Sequence, residues 1–181
     1  MANMSDKHQQ QHPINSSTQL LAAYAMERRD FTAAKLSGAD LRSAQLTRVN
    51  LSSAVLFKAN LSGAILWRAN LSKADLVCAN LQAAQLNRSN LAQANFYEAD
   101  LSGASLAIAN LHRANLENAI LSRCDLVHAN LQGANLRHAT LIQADLTQAE
   151  LMDAVLCSAI LTKAILFTAN RSEERRVGKE C

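Results

Sequence analysis

A leucine or phenylalanine stands at every fifth position from Phe31 to Leu166, an unbroken run of 28 centres in which only Phe31 and Phe96 are not leucine. A period of five fits neither ordinary secondary structure. On a helix each residue turns about 100°, so five residues leave a net advance of about 140° and successive leucines cover every side. On a straight strand five is odd, so successive leucines alternate between faces. The chain keeps all its centres together only by turning a corner after each unit. Four corners of about 90° then close one coil of about 20 residues, and coils stack.

Two residues before the centres from Leu36 to Leu166, the chain has Ala at 24 of 27 positions; the exceptions are Val49, Ser89 and Cys124. Period-2 alternation sends that residue and the centre to the same, inward side. Leu fills the interior and Ala is small enough to pass the corner. The expected core includes Leu61, Leu81, Phe96, Leu101, Leu121 and Leu141. At a coil spacing of about 4.8 Å, seven coils make a rod about 34 Å long. The expected fold class is all-β, a four-sided β-helix.

Units such as Ala59-Asn60-Leu61-Ser62-Gly63 and Ala99-Asp100-Leu101-Ser102-Gly103 resemble the pentapeptide-repeat family, and the resemblance runs over residues 30–170. It implies a right-handed quadrilateral β-helix, a solenoid of about seven coils. The hand comes from the resemblance; the period does not show it. The segment from Leu21 to Phe31 resembles the entry to many cyanobacterial members, which implies a bacterial source.

Four segments are expected. Residues 1–15 are polar and Gln/His-rich, and read as a disordered leader. Residues 16–30 read as a capping helix for the first coil, since stacked coils leave open ends. Ser16-Ser17-Thr18 offers N-cap hydroxyls, and the helix from Thr18 to Arg29 places Leu20, Leu21, Tyr24 and Ala25 on one side. Residues 31–170 are the repeat. At 171 the register demands Leu and the chain has Arg171. The segment 171–181 resembles the translation of a sequencing adapter, so it reads as a non-native tail, with further coils or a cap expected in the natural chain.

The formal net charge is +3, of which the repeat carries 11 basic and nine acidic side chains. That is too little basic excess for a nucleic-acid binder and too little acidity for a polyanion mimic. The four cysteines, Cys78, Cys124, Cys157 and Cys181, match no zinc or redox spacing. No apolar stretch has signal-peptide or membrane-span length. A soluble, cytoplasmic protein in a reducing compartment, with no membrane partner, is expected.

Residues 20 apart stack, so sorting the chain by that interval reveals ladders. One holds Arg48, Arg68 and Arg88, with Trp67, the only tryptophan, beside Arg68. Stacked guanidinium groups repel unless they splay or meet an anion, and Trp beside Arg is typical of binding hot spots. These four residues form the candidate partner-binding face; its alternative reading is a solvated charged face. Phe57, Val77 and Tyr97 form a second ladder, read first as cross-strand packing. Asn50, Asn70, Asn90, Asn110 and Asn130 form a corner ladder whose amides can bond backbone or one another. Val155, Ile160, Ile165 and Phe167 place apolar side chains outward in the last coils, with Ile120 and Ile142 nearby; such patches can mark contacts.

No site for chemistry emerges. His8 and His12 lie in the leader, and His112, His128 and His138 fall on three different ladders, so they do not converge on a metal. A leucine-filled interior leaves no ligand-sized pocket. The chain therefore reads as a non-enzymatic interaction module without cofactor or metal, presenting flat faces to an unidentified protein partner, with nucleic acid disfavoured and end-to-end self-association through the C-terminal coil as a further contact. The alternative is a DNA-mimicking topoisomerase-binding protein of the quinolone-resistance type, which the resemblance also allows.

Overall fold

The computed structural model describes residues 13–170. From Asp30 onward the repeat pairs each residue before a centre with the residue 20 further on, always in parallel: Asp30 with Asn50, Lys35 with Val55, Asp40 with Asn60, Gln45 with Ile65, and so on to Glu150 with Asn170. Four units therefore complete each coil.

Each unit contains a tight turn. The centre's carbonyl accepts a hydrogen bond from the amide three residues on, as in Ala34 N–H to Phe31 at 3.1 Å and Ala64 N–H to Leu61 at 3.0 Å. The second residue after every centre has a positive φ: 24 non-glycine residues and the four glycines Gly38, Gly63, Gly103 and Gly133. A positive φ at the third turn residue is the signature of a type II turn. It is the physical device that makes the corner, and all 28 units use it.

The remaining amides point along the rod. Phe31 N–H donates to the Asn50 carbonyl (2.8 Å), Ala33 N–H to Ser52 (2.9 Å), and Asn50 N–H to Arg29 (2.7 Å); the same three bonds recur coil after coil. One amide per unit, the residue after the centre, has no coil-to-coil carbonyl in this pattern. Asn or Asp two residues earlier supplies the acceptor: Ser52 N–H to Asn50 Oδ1 at 3.1 Å, Ser102 N–H to Asp100 Oδ1 at 2.9 Å, Gln132 N–H to Asn130 Oδ1 at 2.9 Å. That is why the repeat favours those residues before the centre.

The expected strands are reduced to single bridging residues. A five-residue unit commits four residues to the turn and leaves one for pairing, so the ladder is continuous along the rod but one residue wide across it.

The interior is as expected. Leu61, Leu81, Phe96, Leu101, Leu121 and Leu141 are fully buried, as is every centre from Phe31 to Leu156. Ser89 and Cys124, which replace Ala, are buried too, and each donates to a backbone carbonyl: Ser89 Oγ to Leu86 at 2.6 Å and Cys124 Sγ to Leu101 at 2.9 Å. Burial pushes the Cys124 thiol up to about 12, so it stays neutral.

The first coil is lidded by α1 (Ser17–Ala25), capped by Ser16, whose hydroxyl accepts from the Gln19 amide at 3.2 Å. The helix is shorter than expected, because the chain turns at Met26 and Glu27 takes a positive φ of 67°. Leu20 is fully buried and Tyr24 half-buried, but Leu21 and Ala25 face outward, contrary to expectation. Over four residues, Leu20 and Tyr24 already complete the inward stripe, and the one-residue offset turns the other pair away. Tyr24 Oη donates to the Thr47 carbonyl (2.9 Å), and the Arg29 guanidinium sits 3.9 Å over the Tyr24 ring. Ile14 joins the core, and its carbonyl accepts from Lys35 N–H at 3.0 Å. Ile14 thus packs on the rod although it lies ahead of the segment expected to form the lid. The leader residues 1–12, with His8 and His12, and the segment 171–181 lie outside the described residues.

Candidate interaction surface

Four stacks of turns run the length of the rod. The fourth follows Leu46, Leu66, Leu86, Leu106, Leu126, Leu146 and Leu166, and it contains the Arg ladder. Arg48, Arg68 and Arg88 all occupy the positive-φ position of their turns, with φ of 60°, 54° and 58°. They project from equivalent points on three adjacent coils, so the spacing of their backbones is the coil spacing, about 4.8 Å. Trp67 is 48% exposed. Together with Thr47 and Asn87 these side chains line a surface groove of about 440 Å³. The groove lies on the outer surface, where long side chains from successive turns wall it in.

The charges of this stack are uncompensated. Among the described residues the one ion pair is Arg42 with Asp40, at 2.7 Å. From Leu46 to Asn130 the fourth stack contains no Asp or Glu; Glu150 is the first, two coils beyond Ile108. Like charges about 4 Å apart repel by roughly 1 kcal/mol even in bulk water, and nothing in the stack offsets this.

Beyond Arg88 the same stack turns apolar. Ile108 is 49% exposed at a φ of 60°. A β-branched side chain in the left-handed region is a true outlier. Only Ile108 and Thr168, among the 28 positive-φ turn positions, are β-branched, and both lie here; none of the four glycines does.

The other ladders do structural work. Asn70 Nδ2 donates to Asn50 Oδ1 (3.1 Å), Asn90 to Asn70 and Asn110 to Asn90 (each 3.3 Å), and Asn50 in turn to Asp30 (3.0 Å). A second amide ladder joins Asn135 to Asn115 (3.1 Å) and Asn115 to Asn95 (2.9 Å). In the Phe57, Val77 and Tyr97 ladder, Phe57 is the exposed member, with Lys58 Nζ 5.1 Å from its ring centre. Ile120, Ile160, Ile165 and Phe167 are exposed, Phe167 most of all at 70%. The three described histidines stay on separate stacks, and no cluster of metal-ligating side chains forms among the described residues. No helix is long and apolar enough to cross a membrane among those residues.

A sequence model described as pentapeptide repeats, in eight copies, matches residues 30–63, 54–93, 74–107, 109–148 and 134–170. The chain belongs to the pentapeptide-repeat family, whose fold is the right-handed β-helix solenoid. It is similar to the solved structure of HetL, described as a pentapeptide repeat protein involved in heterocyst differentiation regulation from the cyanobacterium Nostoc sp. strain PCC 7120. The identity is 31%, over 89% of this chain and 96% of that one, with a TM-score of 0.56. A trypsin-treated variant of QnrB1, a plasmid-mediated fluoroquinolone resistance protein, is 20% identical over 82% of this chain and 80% of that one, with a TM-score of 0.58; this likeness is one of fold alone. No curated protein matches the sequence.

Proposed function

We propose that this protein is a non-enzymatic interaction module, and that the fourth turn stack, with Arg48, Trp67, Arg68 and Arg88, is the side that meets a protein partner. Solenoids of this kind typically bind through extended outer surfaces. The observation that carries the reading is a groove walled by three guanidinium groups with no carboxylate to pair them. A fold gains nothing from such an arrangement, whereas a binding surface gains charge, donors and an aromatic anchor. The likeness to HetL supports a regulatory rather than catalytic setting.

The topoisomerase-binding reading fits less well. A duplex mimic needs negative charge along its length, and the most distinctive surface of this rod is basic. The test is capture from a bacterial lysate by the full chain and by an Arg48→Glu, Arg68→Glu, Arg88→Glu variant. A protein retained by the first and absent from the second is expected. Identical capture by both removes this stack from the account, and capture of a topoisomerase through another side restores the mimic reading.

A further inference from the structure

We infer that the occupant of the fourth stack is an acidic amphipathic helix, lying along the rod with one stripe of carboxylates over the Arg ladder; this rests on the interaction reading above. The spacing makes the argument. The three arginines step along the rod at about 4.8 Å. Side chains at i, i+3 and i+4 on a helix lie about 5–6 Å apart, and one helical turn rises about 5.4 Å. The mismatch over three coils is about 1.2 Å, which flexible arginine side chains absorb. Same-side residues on an extended strand step by about 6.6 Å, and three of them overrun the ladder by about 3.6 Å, roughly three quarters of a coil.

The surface beyond the arginines completes the match. Ile108 stands 49% exposed one coil past Arg88, holding a backbone conformation that disfavours its side-chain type. Strain of this kind at an exposed position points to use of the side chain outside the fold. A helix with carboxylates at i, i+4 and i+7 brings its i+11 residue to this point, where an apolar group covers Ile108 while a flanking one covers Trp67. A duplex backbone supplies anions for the arginines but nothing apolar for Ile108.

Trp67 is the only tryptophan in the chain, so its emission reports this site alone. The full-length protein is titrated with a stapled helical peptide carrying Glu at i, i+4 and i+7 and Leu at i+11. Parallel titrations use the Glu→Gln version, a scrambled peptide of the same composition, and duplex DNA. A saturable change is expected with the acidic helix, at least tenfold weaker for the Gln and scrambled peptides, and lost in Arg68→Glu with the β circular-dichroism signal unchanged. Equal binding of the scrambled or Gln peptide overturns the helix assignment, and tighter binding of DNA makes the stack a phosphate site. If no peptide binds but capture remains sensitive to the Arg variant, the occupant is not a helix while the interaction reading stands. If capture is insensitive as well, both fall.

Discussion

The second and fourth turn stacks lie across the coil from one another and are built alike, yet they treat charge in opposite ways. The second, with the Asp positions that close it, carries Asp40, Glu98, Asp100 and Glu117. These carboxylates are engaged. Asp40 pairs with Arg42, Asp100 accepts from Gln82 Nε2 and the Ser102 amide, Glu117 accepts from Asn135 Nδ2 at 3.0 Å, and Glu98 accepts from Cys78 at 3.6 Å. The fourth stack carries Arg48, Arg68 and Arg88 with no such pairing. Charge on one side ties coils together. Charge on the other finds no carboxylate within its own stack before Glu150.

Beneath the surface both stacks bury a row of large apolar centres, which sets the largest expected effect. Leu76 and Leu86, the centres under the second and fourth stacks, are both fully buried. Leu76→Asp and Leu86→Asp each bury an unpaired carboxylate, at a cost of at least about 4 kcal/mol. Both should abolish the β circular-dichroism signal; a cooperative melt from either would overturn the inward assignment of the centres.

Next comes the strained turn. Ile108→Gly should stabilise the rod by about 1 kcal/mol, since glycine takes the left-handed conformation without steric cost, and should weaken partner capture. A lower melting midpoint would mean that Ile108 serves the fold. Smaller still is Glu117→Ala, which removes one coil-to-coil hydrogen bond on the second stack and should cost roughly 0.5 kcal/mol. Arg68→Ala should leave the denaturation midpoint at or slightly above its original value, since it relieves like-charge repulsion.

Acid should act through the carboxylate side. The hydrogen bond and charge of Arg42 hold Asp40 down at about 2, and the Thr32 hydroxyl and amide lower Asp30. A carboxyl depressed in the folded state contributes stability that is present above its ordinary value near 3.8 and lost as pH falls toward the folded value. The melting midpoint should therefore decline between about pH 4 and pH 2, and Asp40→Asn should flatten that decline; an unchanged acid limb would remove Asp40 from the account.

Much of this was legible in the chain. The five-residue period identified the inward centres and the four-unit coil, because only corners reconcile an odd period with a common face. The hydroxyl run Ser16-Ser17-Thr18 marked the start of the lid without saying which residue caps it. The positive-φ turn position was missed, although a signal existed: the four glycines of the repeat occur only there. Arg, Lys, Ser and Gln fill most of the other turns, which obscures it. The Arg ladder emerged from the 20-residue interval alone. The groove did not, because it depends on how far each side chain reaches. Nor did the contrast between the two stacks, which rests on the partners each carboxylate finds in the neighbouring coil.

The most direct test neutralises both sides and reads two quantities. One variant carries Arg48→Gln, Arg68→Gln and Arg88→Gln; the other carries Glu98→Gln, Asp100→Asn and Glu117→Gln. Melting midpoint and partner capture are measured for each beside the unsubstituted chain. The fourth-stack variant should melt at or above the original midpoint and lose the partner, while the second-stack variant should melt lower and keep it. A fourth-stack variant that melts lower and still captures the partner would contradict the assignment of that side to binding.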